Sequence, residues 1–335
     1  GVLMLGYILR RLVAAVLVVV VISMIVFALF FLGPSNPAAV ICNENGRCTP
    51  ERQAVLETAL GLDQSVFPQY GEFVKGVFVG RTISVGPGAN YDCSAPCLGI
   101  SFRSKLEVTE LLKDKYPATV SLALVGGALY LTIGSTLGIL AAKYRGSATD
   151  RILVGSSLVV SSVPYYLVAL LAWLFLYNEY RVFPETGYFP LTDDPLKWAS
   201  GLLLPWLVLG IAQSPQYARF GRGSMVETLS EDYIRTASAK GLSRNKVLFK
   251  HGLRAAVVPI VTIFGLDMAF LLAGTVFTEK IFDIDGIGSW GLDAIGLLDF
   301  PVIAATVLVG AILVVVANLI VDIAYSFLDP RVRLA

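Results

Sequence analysis

The chain holds one histidine, His251, among 335 residues, and the dipeptide Gly-Lys occurs nowhere in it. A single imidazole excludes a multi-histidine metal site, and without Gly-Lys there is no P-loop to cradle the phosphates of ATP. No Gly-x-Ser-x-Gly elbow is present, so the usual seat of a hydrolase serine is missing. Charge is scarce, at 15% of residues against about 25% in an ordinary soluble domain. The 26 basic and 25 acidic residues leave a formal net charge of +1, which gives no overall pull on a polyanion and argues against a nucleic-acid partner. Cysteine is confined to four positions, Cys42, Cys48, Cys93 and Cys97.

Apolar residues take the place of charge. They make up 56% of the chain, with a mean hydropathy of +0.72, which is a membrane composition. A hydrocarbon core of ~30 Å needs about 20 apolar residues in a helix. Leu12–Leu32, Ala118–Ala142, Ile152–Tyr177, Trp198–Ala218, Ala255–Phe277 and Pro301–Val321 all meet that length. The first follows Arg10-Arg11 as a signal peptide would, but its run is too long for an h-region and no small-residue cleavage site follows; it reads as a retained helix. The expected fold class is therefore an all-α membrane protein with six transmembrane helices.

Lys and Arg set the orientation. Arg10, Arg11, Lys143, Arg145, Arg151, Arg219, Arg222, Arg331 and Arg333 fall on one side, with the basic segment 232–259. The short loops opposite hold only Arg181, Lys197 and Lys280. Both termini are expected in the cytoplasm.

The expected organisation is an N-terminal helix (1–32), an extracytoplasmic segment (33–116) and a five-helix core (117–335) containing a cytoplasmic loop (221–254). In the outer segment, Thr49 as N-cap, Pro50 in first position, Glu51 in the first turn and Gly61 past the end predict a helix. Confinement of all four cysteines to this segment suits an oxidising compartment. Four cysteines allow three pairings, which sequence alone does not separate; the local pairs Cys42–Cys48 and Cys93–Cys97 are the expected ones. A zinc site is the rival, with irregular spacing and no histidine nearby against it.

Two carboxylates bear on an intramembrane protease. Asp322 lies at the cytoplasmic end of the last span, and Asp267 lies about 12 residues, or ~18 Å, into its helix, so they do not make a dyad. Asp267 is the only carboxylate at mid-membrane depth, where an ionisable group faces a water path or a partner. Two readings stand: a place on a substrate path, attracting an amine, or a hydrogen bond to another helix. Ser161 and Ser162, ahead of Pro164 with Ser156 and Ser157, are path candidates, and small-residue helix packing explains them equally.

The segment Asp232–Pro259 carries six Lys and Arg residues and His251 between two apolar stretches. Ser230 reads as an N-cap, with Glu231 and Asp232 favouring the positive helix end. Tyr233, Ile234, Ala237 and Ala239 form an apolar side, Arg235 and Lys240 stay polar, and Gly241 stops the helix. A second helix begins after Ser243. A solvated positive-inside loop is one reading; a docking helix with a small, close-packing side is the other.

The stretch "RGSMVETLSEDYIRTASAKGLSRNKVLFKHGLRAAVVPIVT" resembles the coupling loop of inner-membrane permease subunits of bacterial ABC importers, in the first (B-type) permease of the oligopeptide and dipeptide branch. The importer motif is E-A-A, three residues, Gly, nine residues, I-x-L-P. Here Arg235, Thr236 and Ala237 stand for E-A-A, Gly241 matches, and His251 to Arg254 stand for I-x-L-P with proline displaced to Pro259. "YILRRL", "LGLDQSVFPQY", "YPATVSLAL", "LLAGTVFTEKIF", "GIGSW" and "VDIAYSFLDPRVR" extend the resemblance over nearly the whole chain, and 82–98 looks inserted. The resemblance implies a type I importer permease fold with an extracytoplasmic insertion between helices 1 and 2, in the bacterial inner membrane, moving di- or oligopeptides. It implies a second homologous permease, two ABC ATPase subunits or one fused ATPase chain, and a lipid-anchored substrate-binding protein. Membrane lipid surrounds the spans. No cofactor is expected on this chain; ATP and Mg belong to the ATPases, whose groove would hold the coupling helix Glu231–Gly241. Nickel and glutathione importers share the pattern.

Overall fold

The computed structural model describes residues 2–32, 36–44, 48–60, 62, 65–84 and 90–328. Gly61, Arg331 and Arg333, part of the 82–98 stretch, and the side chain of Asp322 lie outside the described residues.

Helix α1 (Val2–Leu32) is followed by α2 (Pro37–Glu44), α3 (Pro50–Ala59) and α4 (Val66–Val79). Helix α3 starts as its residues dictate: Thr49 is extended and its hydroxyl accepts the Arg52 N–H, with Pro50 in first position. An antiparallel hairpin pairs β1 (Arg81–Ser84) with β2 (Asn90–Cys93), setting Arg81 opposite Cys93. Next come α5 (Val108–Lys143), α6 (Ala148–Ser162) and α7 (Tyr165–Ala172), which continues as a π-helical turn to Glu179. Helix α8 (Pro195–Leu229) opens on Asp194, whose carboxylate accepts from Leu196 N and Lys197 N at 3.1 and 3.0 Å. Beyond it lie α9 (Asp232–Ala239), α10 (Arg244–Lys246), a π-helical turn Val247–Gly252 and α11 (Leu253–Leu272). Helices α12 (Val276–Ile281), α13 (Ile287–Leu297) and α14 (Phe300–Leu328) complete the described chain.

Among the described residues five helices are long and apolar enough to cross a membrane, and there are six spans if α6 and the Tyr165–Glu179 helix, bent by 87°, count together. The uninterrupted span expected over Ile152–Tyr177 is thus broken. Pro164 has no N–H to continue the ladder and drives Val163 into extended backbone (φ −93°, ψ 127°). The span expected to reach Phe277 stops at Leu272, where Gly274 takes φ +131°.

The chain divides into two compact units, one of Gly1–Pro117 with Gly286–Val316, the other of Ala118–Asp285 with Ala317–Ala335. Residues 286–316, grouped in sequence with 117–335, therefore fold with the first unit. That unit is held by small clusters: Ala38, Ile41, Cys42, Leu56 and Phe102 in one, Val108, Ala294, Val302 and Ala305 in another. The disulfides Cys42–Cys48 and Cys93–Cys97 each close a short loop. Buried Asp299 accepts from Ser101 Oγ at 2.5 Å and Phe102 N at 3.0 Å, pinning the turn 101–104 to the start of α14.

The second unit has a larger core, with Leu122, Leu202, Leu204, Trp206 and Phe282 at its centre. Helices α5 and α8 cross at backbone distance: a Cβ on Gly134 would stand 2.5 Å from Ser214 O, and one on Gly138 would meet Ala218 O and Arg222 N. Small residues allow that approach, as they do between helices in lipid.

Candidate coupling element and membrane carboxylate

Helix α9 begins one residue later than its sequence implies. Ser230 is the last residue of the α8 end, and its hydroxyl donates to the Val226 and Glu227 carbonyls at 3.0 and 2.7 Å. That hydroxyl is spent on the preceding helix, so Glu231 (φ −67°, ψ 149°) is the N-cap and makes no side-chain cap bond. Asp232 in the first turn still favours the helix dipole. At the far end Gly241 takes φ +79°, a conformation that suits glycine, and the helix stops.

The side of α9 presented outward also differs from expectation. Ile234 and Ala237 are buried against Leu229, Leu242 and Val247 of the same chain. The exposed side is Tyr233, Arg235, Thr236, Ala239 and Lys240, with Glu231 and Asp232 at its head. Four apolar residues in sequence thus split two and two: Ile234 and Ala237, about 60° apart at ~100° per residue, are covered, whereas Tyr233 at the rim of that side and Ala239 on the far side are exposed. Partial burial and the Glu231 carboxylate raise the Tyr233 hydroxyl above its ordinary pKa, so it stays a neutral donor. Arg235 reaches Asp232 only at 3.5 Å with both side chains in water, a weak pair.

Polar ties join the helices around this element to one another. Arg244 Nη2 donates to Lys143 O at the end of α5 (2.7 Å), and Ser224 Oγ of α8 donates to Ala256 O of α11 (2.9 Å). Arg222 of α8 forks onto Asp150 of α6, Nε to Oδ1 at 2.7 Å and Nη2 to Oδ2 at 2.8 Å, and Asp150 also accepts from Gly146 N at 2.9 Å. Two parallel charge-assisted bonds are the strong form of an Arg–carboxylate pair. In the sequence Arg222 stands out only as a positive-inside charge. The signal available was Asp150 in the first turn of α6 after the N-cap Ser147, which marks a carboxylate near a helix end but not its partner.

Asp267 is met from another helix: Tyr217 Oη of α8 donates to its Oδ2 at 2.7 Å. The Tyr217 ring packs on Tyr130 of α5 (centroids 5.0 Å) and on Phe264 (6.4 Å), one turn before Asp267 on α11. Ser161 accepts from Arg219 Nη1 at 2.5 Å and donates to Ser157 O, and Ser162 donates to Val159 O. Both serines are exposed on this chain, and neither shares a described hydrogen bond with Asp267. Among the described residues no group of three or more His, Cys, Asp or Glu side chains is placed to hold a metal.

The family model described as "Binding-protein-dependent transport system inner membrane component" matches residues 134–334, and its N-terminal companion matches residues 4–123. A probable peptide ABC transporter permease protein, y4tP of Sinorhizobium fredii, is 35% identical, covering 98% of this chain and 99% of the relative. The dipeptide transport system permease protein DppB of Escherichia coli K12 is 34% identical with the same coverage. Among solved structures, an inward-facing form of the MetNI methionine ABC transporter superposes with a TM-score of 0.53 at 18% identity, over 66% of this chain and 97% of that one.

Proposed function

The chain belongs to the binding-protein-dependent transport system inner membrane component family, and from that premise we propose that it is a permease subunit of a peptide importer, forming half of a translocation path. The observation that carries the substrate class is similarity along the whole chain to relatives named for peptide and dipeptide transport. These relatives do not favour nickel or glutathione, the other cargoes of this pattern. The partners of this reading are a second permease, two ATPase subunits carrying ATP and Mg, and an extracytoplasmic binding protein anchored by lipid. The termini and α9 lie on the cytoplasmic side; the disulfide-bearing segment lies outside, where oxidising conditions let the pairs Cys42–Cys48 and Cys93–Cys97 persist.

In this reading α9 sits in an ATPase groove with Tyr233, Thr236 and Ala239 toward the partner, while Ile234 and Ala237 seat it on its own chain. Movement of the groove then acts on α8, α5 and α6 through the ties from Arg222, Ser224 and Arg244. Rigid elements joined by a few directional bonds transmit a hinge or shear motion without deforming the core. Asp267 holds α11 to α8 through Tyr217, a structural role, and Ser161 and Ser162 line the path beside Arg219.

The test is reconstitution of both permeases and the ATPases in liposomes with the binding protein. Di- and oligopeptides should raise ATP hydrolysis and accumulate inside, with nickel and glutathione doing neither. Accumulation of nickel or glutathione without peptide uptake would overturn the substrate class.

A further inference from the structure

The first unit encloses a cavity of about 320 Å³, within the ~300–1,000 Å³ span of small-molecule sites. Its walls mix apolar residues, Phe27 of α1, Phe102, Phe300 and Leu308 among them, with polar ones that include Gln69 and Glu72 of α4. One wall is Arg81, the first residue of β1. The alkyl stem of Arg81 lies on Gly76 of α4, where a Cβ would come within 2.5 Å of Arg81 Cδ, so glycine there makes the seat. Its guanidinium stands 5.3 Å from the Phe73 ring centroid. Among the described residues it has no hydrogen bond and no ion pair, and its Nε is buried without a partner. Burial lowers the Arg81 pKa and the Glu72 carboxylate pulls it back up; an arginine stays charged regardless.

A half-buried cation with an unmet donor is costly, and a ring face offsets only part of that cost. The planar fork suits a phosphate or carboxylate, and the aromatic walls suit a hydrocarbon beside it. The level of the cavity says which amphiphile meets it. Ser23, Val26 and Phe27 lie near the end of the apolar stretch Leu9–Leu29, while Ala304, Ala305 and Leu308 lie near the start of Phe300–Val321. Both spans leave the hydrocarbon there, where lipid phosphates lie.

We propose that this cavity is a binding site for one anionic phospholipid, its phosphate on Arg81 and the upper part of one acyl chain against Phe27, Phe102 and Phe300. The site ties the outer segment to the adjoining leaflet and makes the stability of the transporter depend on acidic lipid.

The test uses the full-length permease with its partners in detergent, stripped of lipid, then given dioleoyl phosphatidylglycerol, dioleoyl phosphatidylcholine, inorganic phosphate or a tripeptide. Native mass spectrometry should show one phosphatidylglycerol retained per copy at least tenfold more than phosphatidylcholine, with a higher Tm. Arg81→Gln should abolish that preference. Ala304→Phe keeps the cation and fills the tail space; it should lose the lipid while Tm without lipid is unchanged or higher, which guards against a misfolded Arg81→Gln. Equal retention of both lipids, a preference surviving both substitutions, phosphate alone giving the full Tm rise, or displacement of the lipid by the tripeptide would each overturn the proposal.

Discussion

The outer segment and the α9 region show two ways of fixing short elements that lack a large core. In the outer segment the clusters are small, and covalent links and one carboxylate do the fixing: Cys42–Cys48, Cys93–Cys97, and Asp299 on the turn 101–104. Such ties hold one geometry. Around α9 there is no covalent link; Ile234 and Ala237 seat a short helix on Leu229, Leu242 and Val247, and the hydrogen bonds nearby join the neighbouring helices α5, α8, α10 and α11 rather than α9 itself. Packing of that kind holds the helix as a unit and leaves its outer side open to be gripped. The contrast predicts that damage in the outer segment lowers stability alone, whereas damage around α9 separates stability from coupling, depending on the side changed.

The largest effect is expected at Arg222. Arg222→Ala leaves Asp150 buried without its fork, and stranding one member of a mostly buried pair costs about 3–5 kcal/mol. Arg222 is 31% exposed, so the lower end applies. Thermal unfolding should show a marked drop in Tm, with Arg222→Lys in between because a single ammonium replaces the fork. An unchanged Tm in Arg222→Ala would remove this pair from the structural ties.

The two sides of α9 come next. Ala237→Asp places a carboxylate against Leu229 and Val247 and should destabilise by about 2–3 kcal/mol, reducing assembled complex along with uptake. Tyr233→Ala and Thr236→Ala, on the exposed side, should leave stability within about 0.5 kcal/mol of the parent while peptide-stimulated ATP hydrolysis falls. Loss of coupling in Ala237→Asp at full stability, with no effect of Tyr233→Ala, would reverse the assignment of the two sides.

Removing one outer disulfide by Cys42→Ser with Cys48→Ser should cost about 2 kcal/mol, since short loops restrict the unfolded chain least. Transport per folded complex should be unaltered. Mass spectrometry of unreduced peptides from the parent protein checks the pairing itself, and four free thiols would refute it.

The contrast also separates what was legible in the sequence from what was not. The places of the apolar helices, the start of α3 and the stop at Gly241 were readable because each depends on neighbours in the chain: an apolar run, Thr49 before Pro50, a glycine free to take positive φ. The break at Pro164 was partly readable, yet an apolar run on both sides looked continuous, and a proline in a membrane helix can be accommodated by a kink. Ser230 was misplaced because a serine between two helices can serve either, and only the path of α8 decides. The partners of Asp150 and Asp267, Arg222 and Tyr217, are 72 and 50 residues away, and no local rule links them.

The smallest effect, and the one that settles the role of Asp267, is expected at the Tyr217–Asp267 bond. Hydrogen bonds between helices in a bilayer average about 0.6 kcal/mol and reach about 1.7, because the unfolded helices find other partners in lipid. Tyr217→Phe and Asp267→Asn should each cost about 1 kcal/mol, and the double variant should cost less than their sum, since each removes the same contact. If the bond is the whole function of Asp267, free-amine and N-acetylated peptides should be affected alike. A selective loss of free-amine uptake in Asp267→Asn, with Tyr217→Phe transporting normally, would instead place the carboxylate on the substrate path. Additive costs in the double variant would show that the two side chains do not depend on each other.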